Sequence, residues 1–214
     1  MNIAINGFGR IGRLILKVAL ENNLNVVAIN STSDSKIKAY YLKYDTLYGK
    51  YDKEVSYEKD YIKINKIKIK FLVERDISKL PWKKLKVDYV IESTGIFTDA
   101  ELSKKHIEAG AKKVFITAPA KNQDVTLVPG VNNEMLKKEH KIISVASCTT
   151  NCLAPMVKVL DDKFGIKKGF ATTIHAYTSD QNLVDDSHPK LRRGRSAALN
   201  IVPTNSGAAQ AVIE

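Results

Sequence analysis

Cys148 stands in Ala-Ser-Cys-Thr-Thr-Asn-Cys-Leu-Ala-Pro (146–155), where a strand-like run, Lys141 to Val145, gives way to a helix-like run, Leu153 to Phe164. A thiol at such a junction faces the unpaired N–H groups and positive dipole end of a helix. Those surroundings pull a thiol below its free pKa of roughly 8.5 and supply thiolate near neutrality. Downstream, His175 closes another strand-like run, Phe170 to His175. A lone cysteine more often packs as a small apolar residue, and a lone histidine is more often structural. Together they form a candidate nucleophile and base, because Cys–His pairing is a standard way to activate sulfur. Ser147, Thr149, Thr150, Thr178, Arg192 and Arg193 add donors suited to phosphate oxygens.

A second constellation opens the chain. Gly7-Phe8-Gly9-Arg10-Ile11-Gly12 follows a strand-like run, Ile3 to Asn6, and opens an amphipathic helix, Ile11 to Glu21. Glycines in this context permit a tight turn and let the backbone approach a pyrophosphate seated on the helix N-terminus. The next strand, Asn25 to Asn30, ends in Asn30-Ser31-Thr32-Ser33-Asp34-Ser35-Lys36. A carboxylate at its tip would accept from the ribose 2′-OH and repel a 2′-phosphate. Three hydroxyls and a nearby lysine stand there instead, which admits NADP. The competing reading gives the carboxylate's job to Asp34, slightly displaced.

The elements that must position these groups follow from periodicity. Further strands fit Tyr61 to Ile64, Ile67 to Leu72, Tyr89 to Glu92, Val114 to Thr117 and Ile142 to Val145, and Ala100 to Ala109 reads as a helix. Short Val/Ile-rich runs separated by helices predict an α/β fold, a Rossmann-type doubly wound and mostly parallel sheet. The Lys-rich stretch Tyr57 to Leu72 alternates with period two, as an antiparallel hairpin inserted into that sheet would. The composition changes after Cys148, which places a boundary near Ser147 and predicts domains at 1–147 and 148–214.

A chain of 214 residues with 44% hydrophobic and 27% charged residues fits an ordinary globular protein. No apolar stretch approaches the ~20 residues that span a bilayer. The N-terminus enters a strand directly, without the pattern of a signal peptide. The two cysteines, Cys148 and Cys152, make no disulfide framework, so a reducing cytoplasm is expected. No ligand spacing suggests a metal. The net charge of +11 attracts anions, yet the lysines are scattered and no nucleic-acid-binding module is recognisable. Neither a membrane nor a specific nucleic-acid partner is expected.

Along its whole length the chain resembles the phosphorylating glyceraldehyde-3-phosphate dehydrogenases. The resemblance is carried by Ile-Asn-Gly-Phe-Gly-Arg-Ile-Gly-Arg (5–13), Leu-Lys-Tyr-Asp-Thr (42–46), Glu-Ser-Thr-Gly-Ile-Phe (92–97), Ala-Gly-Ala-Lys-Lys-Val (109–114), the Cys148 segment and Ile-His-Ala-Tyr-Thr (174–178). It implies that 148–214 begins an α+β catalytic domain. It further implies that Cys148 attacks the aldehyde of glyceraldehyde 3-phosphate while His175 takes the proton, and that inorganic phosphate releases the thioester as 1,3-bisphosphoglycerate. By the same resemblance Ser147, Thr149, Ser206 and Gly207 cradle the attacking phosphate, and Thr178 and Arg193 hold the substrate's own. Gly7, Gly9, Arg10, Ile11, Gly12, Arg75, Thr94 and Thr117 match positions that touch the dinucleotide. A homotetramer is implied, in which the loop Thr178 to Ala197 lines a neighbour's cofactor pocket.

Departures from the family pattern carry expectations of their own. Ser31 stands where most NAD-dependent members carry Asp. Asp185-Asp186-Ser187-His188 resembles the form of NADP-accepting members, in which that Ser approaches the 2′-phosphate from a neighbouring subunit. Ser31, Thr32 and Ser187 therefore point to NADP or dual use rather than strict NAD. The chain stops at Glu214, short of the family's usual length, inside a helix-like run from Gly207. The isolated chain is therefore expected to be inactive, with part of its pocket missing. Two alternatives stand beside this reading. One is erythrose-4-phosphate dehydrogenase, with water as acyl acceptor; the other is a non-catalytic nucleotide- or nucleic-acid-binding fragment.

Overall fold

The computed structural model describes residues 1–213. In chain order these form β1 (Asn2–Asn6), α1 (Arg10–Glu21), β2 (Asn25–Asn30) and α2 (Ser35–Lys43), then a small hairpin of β3 (Tyr44–Asp45) and β4 (Gly49–Lys50). Next come β5 (Val55–Glu58), β6 (Tyr61–Ile64), β7 (Ile67–Leu72), β8 (Tyr89–Glu92), α3 (Ala100–Glu108) and β9 (Lys113–Ile116). The chain continues through β10 (Val125–Thr126), β11 (Ile142–Ser144), α4 (Cys148–Phe164) and α5 (Ala208–Ile213). By their internal contacts the residues divide into two units, Met1–Cys148 and a second that begins at Thr149.

Nine strands of the first unit form one sheet in the order β10-β11-β9-β8-β1-β2-β7-β6-β5. From β10 to β7 every pairing is parallel. β7–β6 and β6–β5 are antiparallel, so the Lys-rich hairpin ends one edge of the sheet. β1 pairs with both β2 and β8, and the winding therefore reverses there, which leaves a crevice at the carboxyl ends of these strands.

Alternation along β1 feeds both faces. Ile3 and Ile5 join Leu16, Leu20, Ile29 and Phe71 on the α1 side, while Ala4 joins Trp82, Val90, Val114 and Ile116 on the other. A parallel sheet covered on both faces explains why its strands read as apolar runs.

Sequence patterning does not reveal α2. Its start is fixed by Asp34, whose Oδ1 accepts from the Ile37 N–H at 2.8 Å, and it buries Ala39 and Leu42. At the far edge Asp124 plays a similar role between strands. Its Oδ2 accepts from the N–H groups of Lys141 (2.6 Å) and Ile142 (2.8 Å). Burial pushes this carboxyl up, but the two N–H groups outweigh it and hold it below the usual carboxylate range. A depressed carboxyl stabilises the fold above its unfolded pKa of about 4 and loses that contribution as pH falls through the folded value. Asp124→Asn is therefore expected to flatten the loss of stability between about pH 5 and pH 3. Urea unfolding of both proteins across that range checks it, and parallel curves would refute it.

The second unit departs from expectation. Phe170 to His175 forms no strand: residues 165–207 contain only one short 3-10 turn, Leu191–Gly194, and Phe170 and Ile174 are fully exposed. A strand is held by neighbours that take up its N–H and C=O groups, and this run belongs to neither sheet. The polar loop is better ordered than its composition suggests. The Asn182 N–H donates to Arg193 O (3.0 Å), the Asp186 N–H to Gly194 O (2.9 Å) and the Ala197 N–H to Asn182 O (2.9 Å).

Candidate functional site

The expected cofactor residues of the first unit gather at the carboxyl ends of β1, β2, β8 and β9. Gly7 leaves β1 at φ +92°, and its N–H donates to Asn30 O at 3.0 Å. A Cβ on Gly7 would lie 2.6 Å from the Thr94 nitrogen, and one on Gly12 would lie 2.1 Å from Gly7 O. The glycines thus serve close packing of loop, helix and strand as much as approach to a ligand. No side chain caps the start of α1, so its first-turn N–H groups are offered to an anion. Two glycines that admit no Cβ beside an uncapped helix start fit a dinucleotide pyrophosphate.

Cations border this turn. Arg10 pairs with Asp45 at 3.2 Å, and Arg13 lies over the Tyr41 ring at 5.6 Å. Burial and the neighbouring Arg10 charge push the Arg13 guanidinium down, so an anion there relieves both. Burial pushes the Asp45 carboxyl up, but the N–H groups of Tyr48 and Leu47 and the Arg10 guanidinium hold it below the carboxylate range. Thr94 donates its N–H to Glu92 Oε1 (2.8 Å), and Thr117 donates its N–H to Glu92 O (3.0 Å). At the β2 tip Ser31 is buried, its N–H on Leu72 O (3.0 Å) and its hydroxyl accepting from the Ser33 N–H (3.4 Å), while Thr32 and Lys36 are exposed. Ile11 and Arg75 are exposed.

Cys148 is the first residue of α4, exposed and outside any disulfide. The approach to it is bent: Ala146 has φ +59°, and its N–H donates to Ser144 Oγ at 3.1 Å. A non-glycine residue in the left-handed region costs on the order of 1–2 kcal/mol, a strain that concentrates at functional turns. Ser147 and Thr149, the expected phosphate ligands, flank the thiol and are half-buried.

Within the second unit, His175 Nδ1–H donates to Ala176 O at 2.6 Å, because a carbonyl only accepts; Nε2 is then the basic nitrogen. Arg193 forms an ion pair with Asp180 and donates to Thr204 Oγ1 at 3.1 Å. The Asp180 N–H in turn donates to Thr178 Oγ1 (3.4 Å), so Asp180 brings Thr178 and Arg193 together. Arg193, Lys190, Arg192, Thr204 and Asn205 line a cavity of about 340 Å³. Ser206 Oγ accepts from the Ala208 N–H (3.2 Å), the Gly207 carbonyl takes the Ala211 N–H (3.1 Å), and Ser187 is exposed with its N–H on Asp186 Oδ1 (2.6 Å). Sequence alone does not single out Asp45, Glu92 or Asp180. Their one signal is a carboxylate placed where apolar patterning stops.

Among the described residues no cluster of His, Cys, Asp or Glu could hold a metal ion, and no helix is long and apolar enough to cross a membrane.

Comparison with known proteins returns one family. A sequence model described as "Glyceraldehyde 3-phosphate dehydrogenase, NAD binding domain" matches residues 1–100. A second, described as the C-terminal domain of the same enzyme, matches residues 147–214. Among similar curated proteins, glyceraldehyde-3-phosphate dehydrogenase of Thermotoga maritima is 54% identical over 98% of this chain and 64% of its own length. Glyceraldehyde-3-phosphate dehydrogenase 2 of Bacillus subtilis is 51% identical over 99% of this chain and 63% of its own. The Streptomyces coelicolor protein is 52% identical, with 99% and 64% covered. The chain thus spans a little under two thirds of the length of these relatives.

Proposed function

Because the chain belongs to the glyceraldehyde 3-phosphate dehydrogenase family, we propose that it provides the dinucleotide half and the reactive thiol of an enzyme that reversibly oxidises and phosphorylates D-glyceraldehyde 3-phosphate to 1,3-bisphosphoglycerate. Residues 1–147 form the dinucleotide-binding domain and 148–214 the opening of the catalytic domain. One observation carries this reading: the sheet that offers an uncapped, glycine-lined helix start also delivers Cys148 to the first residue of a 17-residue helix.

Cys148 sulfur, as thiolate at the positive end of α4, attacks the aldehyde carbon. His175 Nε2 takes the Cys148 thiol proton, passes it to the resulting oxyanion and removes it again as the thiohemiacetal is oxidised to a thioester. The bound dinucleotide supplies the hydride acceptor for that oxidation. Phosphate then attacks the thioester carbon and sulfur leaves as thiolate. Ser147, Thr149, Ser206 and Gly207 receive the attacking phosphate, and Thr178 and Arg193 the substrate's own. The dinucleotide is held by Gly7, Gly9, Arg10, Ile11, Gly12, Thr94 and Thr117, with Arg75, Ser31 and Thr32 toward its adenosine. The working assembly is a cytoplasmic homotetramer in which Ser187 faces a neighbour's cofactor. A hybrid that joins the last third of the Thermotoga maritima relative to this chain tests the activity; dinucleotide binding without aldehyde oxidation would sink it.

The cofactor is NADP or either dinucleotide. Asp34 supports this, since one oxygen of its carboxylate is engaged as the cap of α2. Asp34→Ala is expected to lower stability by about 1 kcal/mol and to change the NADP-to-NAD affinity ratio by less than about twofold. Calorimetric titration of both dinucleotides into both chains checks it. A wild-type preference for NAD beyond about tenfold, lost in the variant, would return the carboxylate's job to Asp34.

A further inference from the structure

A buried carboxylate lies beneath the strand ends that carry the cofactor candidates. Glu92 ends β8 and His106 lies on α3; they are 2% and 0% exposed. Glu92 Oε1 accepts from the Thr94 N–H at 2.8 Å and from the Thr94 hydroxyl. Glu92 Oε2 accepts from Asn6 Nδ2 at 2.6 Å and from His106 Nε2 at 3.0 Å. Chemistry fixes the direction of these bonds. The Trp82 indole N–H only donates, and it meets His106 Nδ1 at 2.9 Å, so the ring proton sits on Nε2 and points at Glu92. The Glu74 N–H donates to Asn30 Oδ1 (2.9 Å), which turns Asn30 Nδ2 toward Asn6 Oδ1 (2.7 Å) and Asn6 Nδ2 toward Glu92. Both chains of donors run one way and end on a group that, as a carboxylate, only accepts.

The same residue reaches the remaining segments through its main chain and its neighbours. Thr117 donates its N–H and hydroxyl to Glu92 O (3.0 and 3.2 Å), and Ser93 Oγ donates to Gly7 O (2.6 Å). Asn6 precedes Gly7, Asn30 precedes Ser31, and Glu74 precedes Arg75. Five segments proposed for the cofactor are therefore fastened to one residue, four through its carboxylate and that of Thr117 through its main-chain carbonyl.

We propose that Glu92 is the positioning residue of the dinucleotide cradle, with His106 in its Nε2–H tautomer and Trp82 as its fixed support. This rests on the dinucleotide reading of the first unit. In Glu92→Gln an amide NH2 must face either Thr94 or the Asn6–His106 pair, so one buried donor meets another. The 214-residue chain is expected to lose about tenfold in affinity for NAD and NADP. Its Thr94 amide is expected to exchange with solvent about tenfold faster or more. Ser103→Ala, which removes a half-buried bond from α3 to Phe97 O, is expected to leave both readouts unchanged. Thr94→Val, which takes away one hydroxyl donor, is expected to fold and to show the same two effects in weaker form. The ring-nitrogen NMR shifts of His106 in the wild type are expected to report Nε2–H at neutral pH. Unchanged affinity and exchange in both Glu92→Gln and Thr94→Val, or an Nδ1–H tautomer, would overturn the proposal. If the wild-type chain binds neither dinucleotide, the cofactor reading fails, and Thr94 exchange still decides the role of Glu92.

Discussion

Cys148→Ser, placed in the hybrid with the Thermotoga maritima relative, is expected to lower aldehyde-dependent reduction of the dinucleotide by about 10⁴-fold or more, with dinucleotide affinity unchanged. The substitution removes one thing, the sulfur at a helix start, and leaves a hydroxyl, a far weaker acid than a thiol. The alcohol neither attacks well nor leaves as a stable anion when phosphate arrives, so both halves of the reaction fail. The 214-residue chain alone is expected to bind dinucleotide yet to turn over at least ~10³-fold more slowly than the hybrid. The nine-stranded sheet of the first unit is formed, whereas His175 and Thr178 lie on a segment that belongs to no helix or strand. Reduced dinucleotide followed at 340 nm, with and without phosphate, measures both effects. Substantial turnover by the Ser variant would remove Cys148 from the chemistry, and turnover by the bare chain near that of the hybrid would remove the argument from His175.

Gly12→Ala is expected to cost about 3 kcal/mol in stability and about 100-fold in dinucleotide affinity. The added Cβ would lie 2.1 Å from Gly7 O and 3.0 Å from Ser93 Oγ. The closest contact is a backbone oxygen, so relief requires the β1–α1 turn itself to move. That movement withdraws first-turn N–H groups from a pyrophosphate, and losing about two charge-assisted bonds corresponds to the stated loss. Gly9→Ala is the internal comparison, since a Cβ there meets nothing within 4 Å. Thermal melts and dinucleotide titrations of the two variants should separate cleanly; equal behaviour would show that the turn yields more easily than its geometry implies.

The first unit was legible in sequence because each of its signals is local. Val/Ile runs, the 3.6-residue period of α1 and the Gly-x-Gly-x-x-Gly turn each need only their own neighbours to be recognised. Period two in Tyr57 to Leu72 likewise gave the antiparallel edge. Where sequence pattern and structure differ, the deciding contact is distant or lacking. Phe170 to His175 has strand-like composition, yet a strand is a relation between two segments. The start of α2 is hidden in sequence because an aspartate just past the second strand fits a ribose ligand as readily as a helix cap.

The candidate site divides the same way. Residue type and spacing determined the thiol, its candidate base, the glycine turn and the hydroxyls and guanidiniums suited to phosphate, since these are properties of chemical groups and short motifs. Only the tertiary structure decided that Asp45 restrains Arg10, that Asp180 joins Thr178 to Arg193, and that Glu92 gathers donors from Asn6, Thr94 and His106. Glu92 and Asn6 are 86 residues apart, and Glu92 and His106 are 14 apart on different elements. No local pattern encodes such a meeting. It arises because parallel strands bring their carboxyl ends to one edge, where a buried carboxylate is stable only if donors from several segments converge on it.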